Sequence, residues 1–218
     1  STNYYRLQSQ IDVLSGTAHD DTAGFPNSGL KDIRIAILDT NGANWWDGAG
    51  FNDGSPNYRL TSSTITQTGN APWNYPKAGD AQNAIPAWTS GRKYDVRVRA
   101  ADRSENVSDV LISTFTFDTS SPTVVIQDPN QTRESSLATL SGTAADTSGG
   151  PAPGSLSLVK VRIFRSSGTP AYWNSANGAA PAQTFDSGLA ADNAWFNANT
   201  ADGFANWTTT QAAAAGVF

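Results

Sequence analysis

The stretch Leu14-Ser15-Gly16-Thr17-Ala18-His19-Asp20 returns as Leu140-Ser141-Gly142-Thr143-Ala144-Ala145-Asp146, at a spacing of 140 − 14 = 126 residues. A long-period repeat of this kind means one supersecondary unit or module built more than once. Further landmarks follow each copy in the same order. Ile33-Arg34-Ile35 is matched by Val161-Arg162-Ile163, and Trp45-Trp46 by Tyr172-Trp173. Two more tryptophans follow in each half, and in order they pair Trp73 with Trp195 and Trp88 with Trp207. A residue matched in both copies serves what the copies share, which is the fold.

The local pattern within each copy is that of strands. Ile11 to Ala18 is rich in β-branched residues with partial alternation. Leu30 to Leu38 sets Ile33, Ile35 and Ile37 against Arg34 and Ala36, the two-residue period of a half-buried strand. Tyr94 to Ala100 is clearer still, with Tyr94, Val96, Val98 and Ala100 on one face and Asp95, Arg97 and Arg99 on the other. Val110 to Phe117 alternates likewise, and Tyr58 to Thr66 and Thr123 to Gln127 read as extended. Asp39 to Asn57 reads as a long loop or a short excursion strand, and Gly69 to Pro86, with its prolines, as connecting structure. Helix propensity is confined to Gln211 to Ala215, too short to be stable alone. Asp118 to Pro122 has the polar, proline-containing composition of a linker. The expected division is residues 1–118 and 119–218.

Composition narrows the class of function. Fourteen Lys and Arg against nineteen Asp and Glu leave a formal charge of 14 − 19 = −5. Nucleic-acid phosphates select the opposite sign, so nucleic acid is not an expected partner. No run of about 18 apolar residues is present, so no membrane span is expected. The chain has no Cys, which excludes disulfides, thiolate metal sites and cysteine nucleophiles. An Ala-, Gly-, Ser-, Thr- and Asn-rich chain with 15% charged residues suits an extracellular or cell-surface module with long polar loops.

With these residues in place the chain resembles tandem bacterial Ig-like repeats of surface, adhesin or filament proteins. The resemblance rests on Pro122 to Ile126, Leu140 to Asp146 and Val161 to Ile163, and on Tyr94 to Asp102 followed by Glu105-Asn106. Trp88, Gly91 and Tyr94 are similar to the tyrosine corner of such sandwiches. The resemblance implies an all-β fold of two tandem Ig-like antiparallel β-sandwiches, the second incomplete. Module one would lack its first strand, the counterpart of Thr123 to Gln127, and module two its last strands. The family's turn reads Asp-x-x-Gly-Asn; Glu105 in place of the Gly implies a looser turn. The resemblance implies a non-catalytic structural or adhesive role, of which a filament joined head to tail by strand complementation is one form, with neighbouring modules or subunits as partners. The alternative is a carbohydrate-binding or spacer module of a secreted glycan-active enzyme.

Few residues invite chemistry. His19 is the single histidine, its matched position holds Ala145, and no Gly-x-Ser-x-Gly elbow is present. The acid pairs Asp20-Asp21, Asp47 with Asp53, and Asp102 with Glu105 lie in turn-rich loops, where carboxylates cap turns. No catalytic residue is assigned. Loop carboxylates do suit calcium, which takes six to eight oxygens; Asp20, Asp102 and Asp118 could meet at the junction between modules, with Asp146 matching Asp20. Trp45 and Tyr172 are the candidates for stacking on the apolar faces of glycans. The other tryptophans are read as core or loop anchors. Three Asn-x-Ser/Thr acceptor patterns begin at Asn106, Asn130 and Asn206.

Overall fold

The computed structural model describes residues 3–20, 28–63, 65, 70–76, 84–130, 139–147, 150–151, 155–174 and 184–209. Gln211 to Ala215 lies outside them. The chain is all-β, built from several sheets; among the described residues their pairings are antiparallel except that of Asn3–Tyr5. Among the described residues, no helix is long and apolar enough to cross a membrane. Two compact units are present: residues 1–120 with 148–154, and residues 121–147 with 155–218.

Among its described residues the first unit holds ten strands: β1 (Asn3–Tyr5), β2 (Leu14–Ala18), β3 (Leu30–Asp39), β4 (Asn44–Trp46), β5 (Phe51–Asp53), β6 (Arg59–Leu60), β7 (Ser62–Ser63), β8 (Ala71–Tyr75), β9 (Arg92–Asp102) and β10 (Leu111–Phe117). One sheet runs β1-β10-β9-β3-β4-β5, with β6 also on β3; the other runs β2-β8-β7. The alternation of Ile33, Ile35 and Ile37 is what buries β3: all three are 1% exposed. They meet Trp46, Trp73, Tyr75 and Trp88 in one core, with Tyr94 and Phe115 from β9 and β10. Trp88 packs edge-on against Tyr94 at 4.9 Å and Phe115 at 5.0 Å between ring centroids.

One sequence expectation changes here. Gly69 to Pro86 is not all connection, because Ala71–Tyr75 is the middle strand of the second sheet. Pro72 masks it, since proline inside a strand argues for an edge or a break; alternation shows through in the burial of Ala71, Trp73 and Tyr75. The strand ahead of β2 belongs to the other sheet and is not the counterpart of Thr123 to Gln127. Asn3–Tyr5 lies parallel to β10, Asn3 opposite Phe115 and Tyr5 opposite Phe117. The side of β2 away from β8 carries no strand among the described residues.

The second unit holds β11 (Thr123–Asp128), β12 (Leu140–Ala145), β13 (Lys160–Val161), β14 (Phe164–Arg165), β15 (Ala171–Asn174), β16 (Thr184–Asp186), β17 (Phe196–Asn197) and β18 (Asn206–Thr209). They form sheets β11-β12-β18, β13-β17 and β14-β15-β16. Pairings of the first unit recur. Gly16 lies opposite Trp73 and Gly142 opposite Trp207. Trp46 pairs with Phe51 and Trp173 with Phe185. The true match of Trp73 is therefore Trp207, at 207 − 73 = 134 residues, and not Trp195. Unequal loops shift the spacing, and order along the chain misassigned the pair. Along β3 the partner on one side is β9. Among the described residues of the second unit, no strand takes that place beside β13 and β14, and Phe164 is 51% exposed.

Candidate interaction surfaces

The loop acids are held by their own turns. Asp47 Oδ1 accepts from the backbone N–H groups of Ala49 and Gly50, both at 2.7 Å, and its Oδ2 accepts from Asn52 at 2.8 Å. These bonds favour the ionised form and draw the carboxyl down to about 2, the Asn52 bond contributing most. Asp53 accepts from Asn57 at 2.7 Å. Asp102 clamps Asn106 through backbone N–H and side-chain amide, both at 2.8 Å. Asp202 clamps Asn206 in the same way, at 3.0 and 2.6 Å. Both carboxyls are lowered chiefly by the Asn side-chain bond. Glu105 adopts the left-handed region at φ 66°, so the turn closes without glycine, and Glu105 pairs with Lys31. The expectation of a looser turn is thus corrected: Asp102 N–H still donates to Asn106 O at 3.0 Å.

Of the expected calcium ligands in the first unit, Asp118 stands apart from Asp20 and Asp102. Asp20 Oδ2 accepts from Gly29 N–H at 2.9 Å, and Arg103 N–H beside Asp102 donates to Gly29 O, so these two acids share one end of the first unit. Asp118 caps the opposite end, following Phe117, which is registered with Arg92 at the start of β9. It accepts from Ser90 Oγ, Ser120 N–H and Ser120 Oγ. Ten strand steps from Arg92 to Asp102 put about 30 Å between the two ends. Asp146 belongs to the second unit. Among the described residues no three acidic or imidazole side chains are grouped as metal ligands.

The aromatic candidates divide. Trp45 is 6% exposed, with the Arg97 guanidinium 4.8 Å from its ring centroid, so it is a covered residue and no open stacking platform. Arg97, whose position is set by β9, closes over it. Tyr172 is half-buried, 4.8 Å from Phe164 between centroids. Trp195, read from sequence as an anchor, is 44% exposed. Arg162 lies against both rings, 5.3 Å from Tyr172 and 4.6 Å from Trp195. Trp46, Trp73, Trp88, Trp173 and Trp207 are buried. Arg162 could have pointed to Trp195, since an arginine between aromatics supports cation–π stacking, but their distance in sequence hid it.

A second surface is a groove of about 560 Å³ in the first unit. It opens between β2 and the β9–β10 pair, floored by Leu14, Val96, Val98, Leu111 and Phe115. Leu111 shares the inward phase of Phe115 and Phe117, yet it is 73% exposed. The backbone opposite it is β9, and nothing described covers its other side.

No protein-family model matches the chain, and no curated protein matches it.

Proposed function

We propose that the chain is a run of tandem Ig-like modules in an extracellular or cell-surface protein, with a structural or adhesive, non-catalytic role. The observation that carries this reading is the fate of the matched residues. The Leu-Ser-Gly-Thr-Ala strand and the tryptophan facing its glycine pair with one another in both units. The Trp–Phe pair recurs as well, at 5.4 Å in Trp46–Phe51 and 5.5 Å in Trp173–Phe185. The repeat thus reproduces packing, and the acids of the loops close turns. The hydroxyl of Tyr94 accepts from Thr89 N–H at 2.9 Å, with Trp88 against its ring, as in a tyrosine corner.

Such a module resists extension because its sheets must be sheared or unzipped before the chain lengthens. Single-molecule stretching of the chain between reference domains is the test. Unit one should give a force peak followed by a length gain of roughly 40 nm, about 3.5 Å for each of some 120 residues. Smooth extension without a peak overturns the structural reading.

A second reading is favoured by the exposed rings around Arg162: a carbohydrate-binding module. Glycan-array binding lost in both Tyr172→Ala and Trp195→Ala would support it, and an array without signal would remove it.

A further inference from the structure

The repeat sets Lys160-Val161-Arg162-Ile163 against Asp32-Ile33-Arg34-Ile35. Three of the four positions keep their character, and the first reverses its charge. In the first unit Arg34 Nε donates to Asp32 Oδ1 at 3.0 Å and Nη2 to Asp32 Oδ2 at 3.1 Å, so the acid two residues earlier neutralises the guanidinium. Lys160 stands in the place of that acid in the second unit. Val161 and Ile163 pack against the core, and the exposed Lys160 and Arg162 alternate with them onto the outer face. Among the described residues neither cation has an ion-pair partner. Of the acids on nearby elements, Asp186 accepts from Gly188 N–H at 2.7 Å, and Asp192 lies on the short 3-10 helix Ala191–Ala194.

Trp195 is fixed beside the two cations. Ala194 and Phe196, 1% and 4% exposed, anchor the chain on either side, so the indole between them is held outward. Phe196 lies opposite Val161 and Asn197 opposite Lys160, which sets Trp195 next to Arg162 across the strand pair. The matched place in the first unit is Leu60, opposite Arg34. Leu60 is 43% exposed although β9 runs along β3, so the openness of this position belongs to the module itself. Arg162 lies against the Trp195 and Tyr172 rings, and its Nη1 donates to Ala191 O at 3.4 Å. The rings orient the guanidinium plane. Of its five N–H donors, most are left for a ligand.

We infer that this face binds an acidic polysaccharide, and that the unit it takes is a uronic acid. A sugar ring turns several C–H bonds to one side, and that apolar side covers the exposed Trp195. The carboxylate on the same ring meets the Arg162 fork, whose parallel N–H groups match its two oxygens. Lys160 adds a second positive charge. Asn197, exposed and paired with Lys160, presents its amide to the ring hydroxyls. A neutral sugar leaves both cations unanswered. The inference rests on the carbohydrate-binding reading above and gives its ligand a charge.

The test is isothermal titration calorimetry of the whole chain. The ligands are hexamers of glucuronate, galacturonate and mannuronate, each beside the neutral hexamer of the same linkage. A sulfated carrageenan hexamer supplies another anion on a sugar, and inorganic polyphosphate supplies charge without a ring. One uronate should bind saturably, at least about tenfold tighter than its neutral counterpart, and salt should weaken it. Trp195→Ala should weaken that binding, and Arg162→Gln should remove the preference for the uronate. Lys160→Asp recreates the acid–arginine pair that the first unit already carries, so it should remove the preference with an unchanged circular dichroism spectrum. A preference that survives both Arg162→Gln and Lys160→Asp overturns the inference, as does tighter binding of carrageenan or polyphosphate. Equal binding of uronate and neutral hexamers, lost in Trp195→Ala, rejects the uronate and keeps the carbohydrate-binding reading. Binding of no saccharide rejects both, and leaves the structural reading to its force peak.

Discussion

Gly16 and Gly142 occupy the same place in the repeat but answer to different neighbours. Gly142→Ala forces the new methyl into the Val125 carbonyl and the Trp207 ring, whereas Gly16→Ala meets the Trp73 ring. Overpacking costs about 1–3 kcal/mol, and a ring can tilt where a paired strand cannot. Gly142→Ala should therefore sit at the upper end and Gly16→Ala at the lower, measured by urea denaturation of each variant. Asp47 makes a separate prediction. Its carboxyl is held at about 2, below its ordinary 3.8. The unfolded chain then binds the proton more readily, so stability from this loop is present above pH 4 and lost as pH falls through about 2. Melting temperature should drop across that window, and Asp47→Asn should flatten the drop. An unchanged slope would show that the Asn52 and backbone bonds to Asp47 do not matter to folding.

The corner that enters β9 shows how one element is pinned. Gly91 takes φ 75° and its N–H donates to Phe117 O at 2.8 Å, fastening the corner to the end of β10. Tyr94 then turns into the core, where burial raises its hydroxyl above the ordinary value, and accepts from Thr89 N–H. Tyr94→Phe removes the acceptor and leaves the ring packing in place. A loss of about 1 kcal/mol is expected, within the range for an orphaned partly buried amide. Equilibrium denaturation measures it, with the slope m unchanged. A loss near zero would mean that water replaces the hydroxyl.

The two units differ as whole bodies because β3 has β9 along its length and β13 and β14 have no such partner among the described residues. Ile33 and Ile35 are 1% exposed, and the matched Val161 and Ile163 are only half-buried. The indole N–H groups show the same contrast. Trp46 Nε1 donates to Tyr75 OH at 3.1 Å and Ala84 O at 3.2 Å, while Trp173 Nε1 is buried with no acceptor among the described residues. Less apolar burial and an unpaired donor both lower stability. Heating should give two transitions, the second unit melting first. Trp207→Phe should shift only the lower one and Trp73→Phe only the upper one, read by calorimetry. A single transition moved by both variants would refute independent units.

The strand periods and the repeat were legible from residues alone, because side-chain alternation and self-similarity are local properties. All-β character, the burial of Ile33, Ile35 and Ile37, and the inward face of Tyr94 and Val96 followed from them. Neighbours across a sheet are set by three-dimensional closure, which sequence order does not encode. Only the tertiary structure could pair Trp73 with Trp207, cover Trp45 with Arg97, expose Trp195 and separate Asp118 from Asp102. For the same reason two identical Leu-Ser-Gly-Thr-Ala strands ended in different surroundings, one paired with β11 and the other with no described strand at the matching edge.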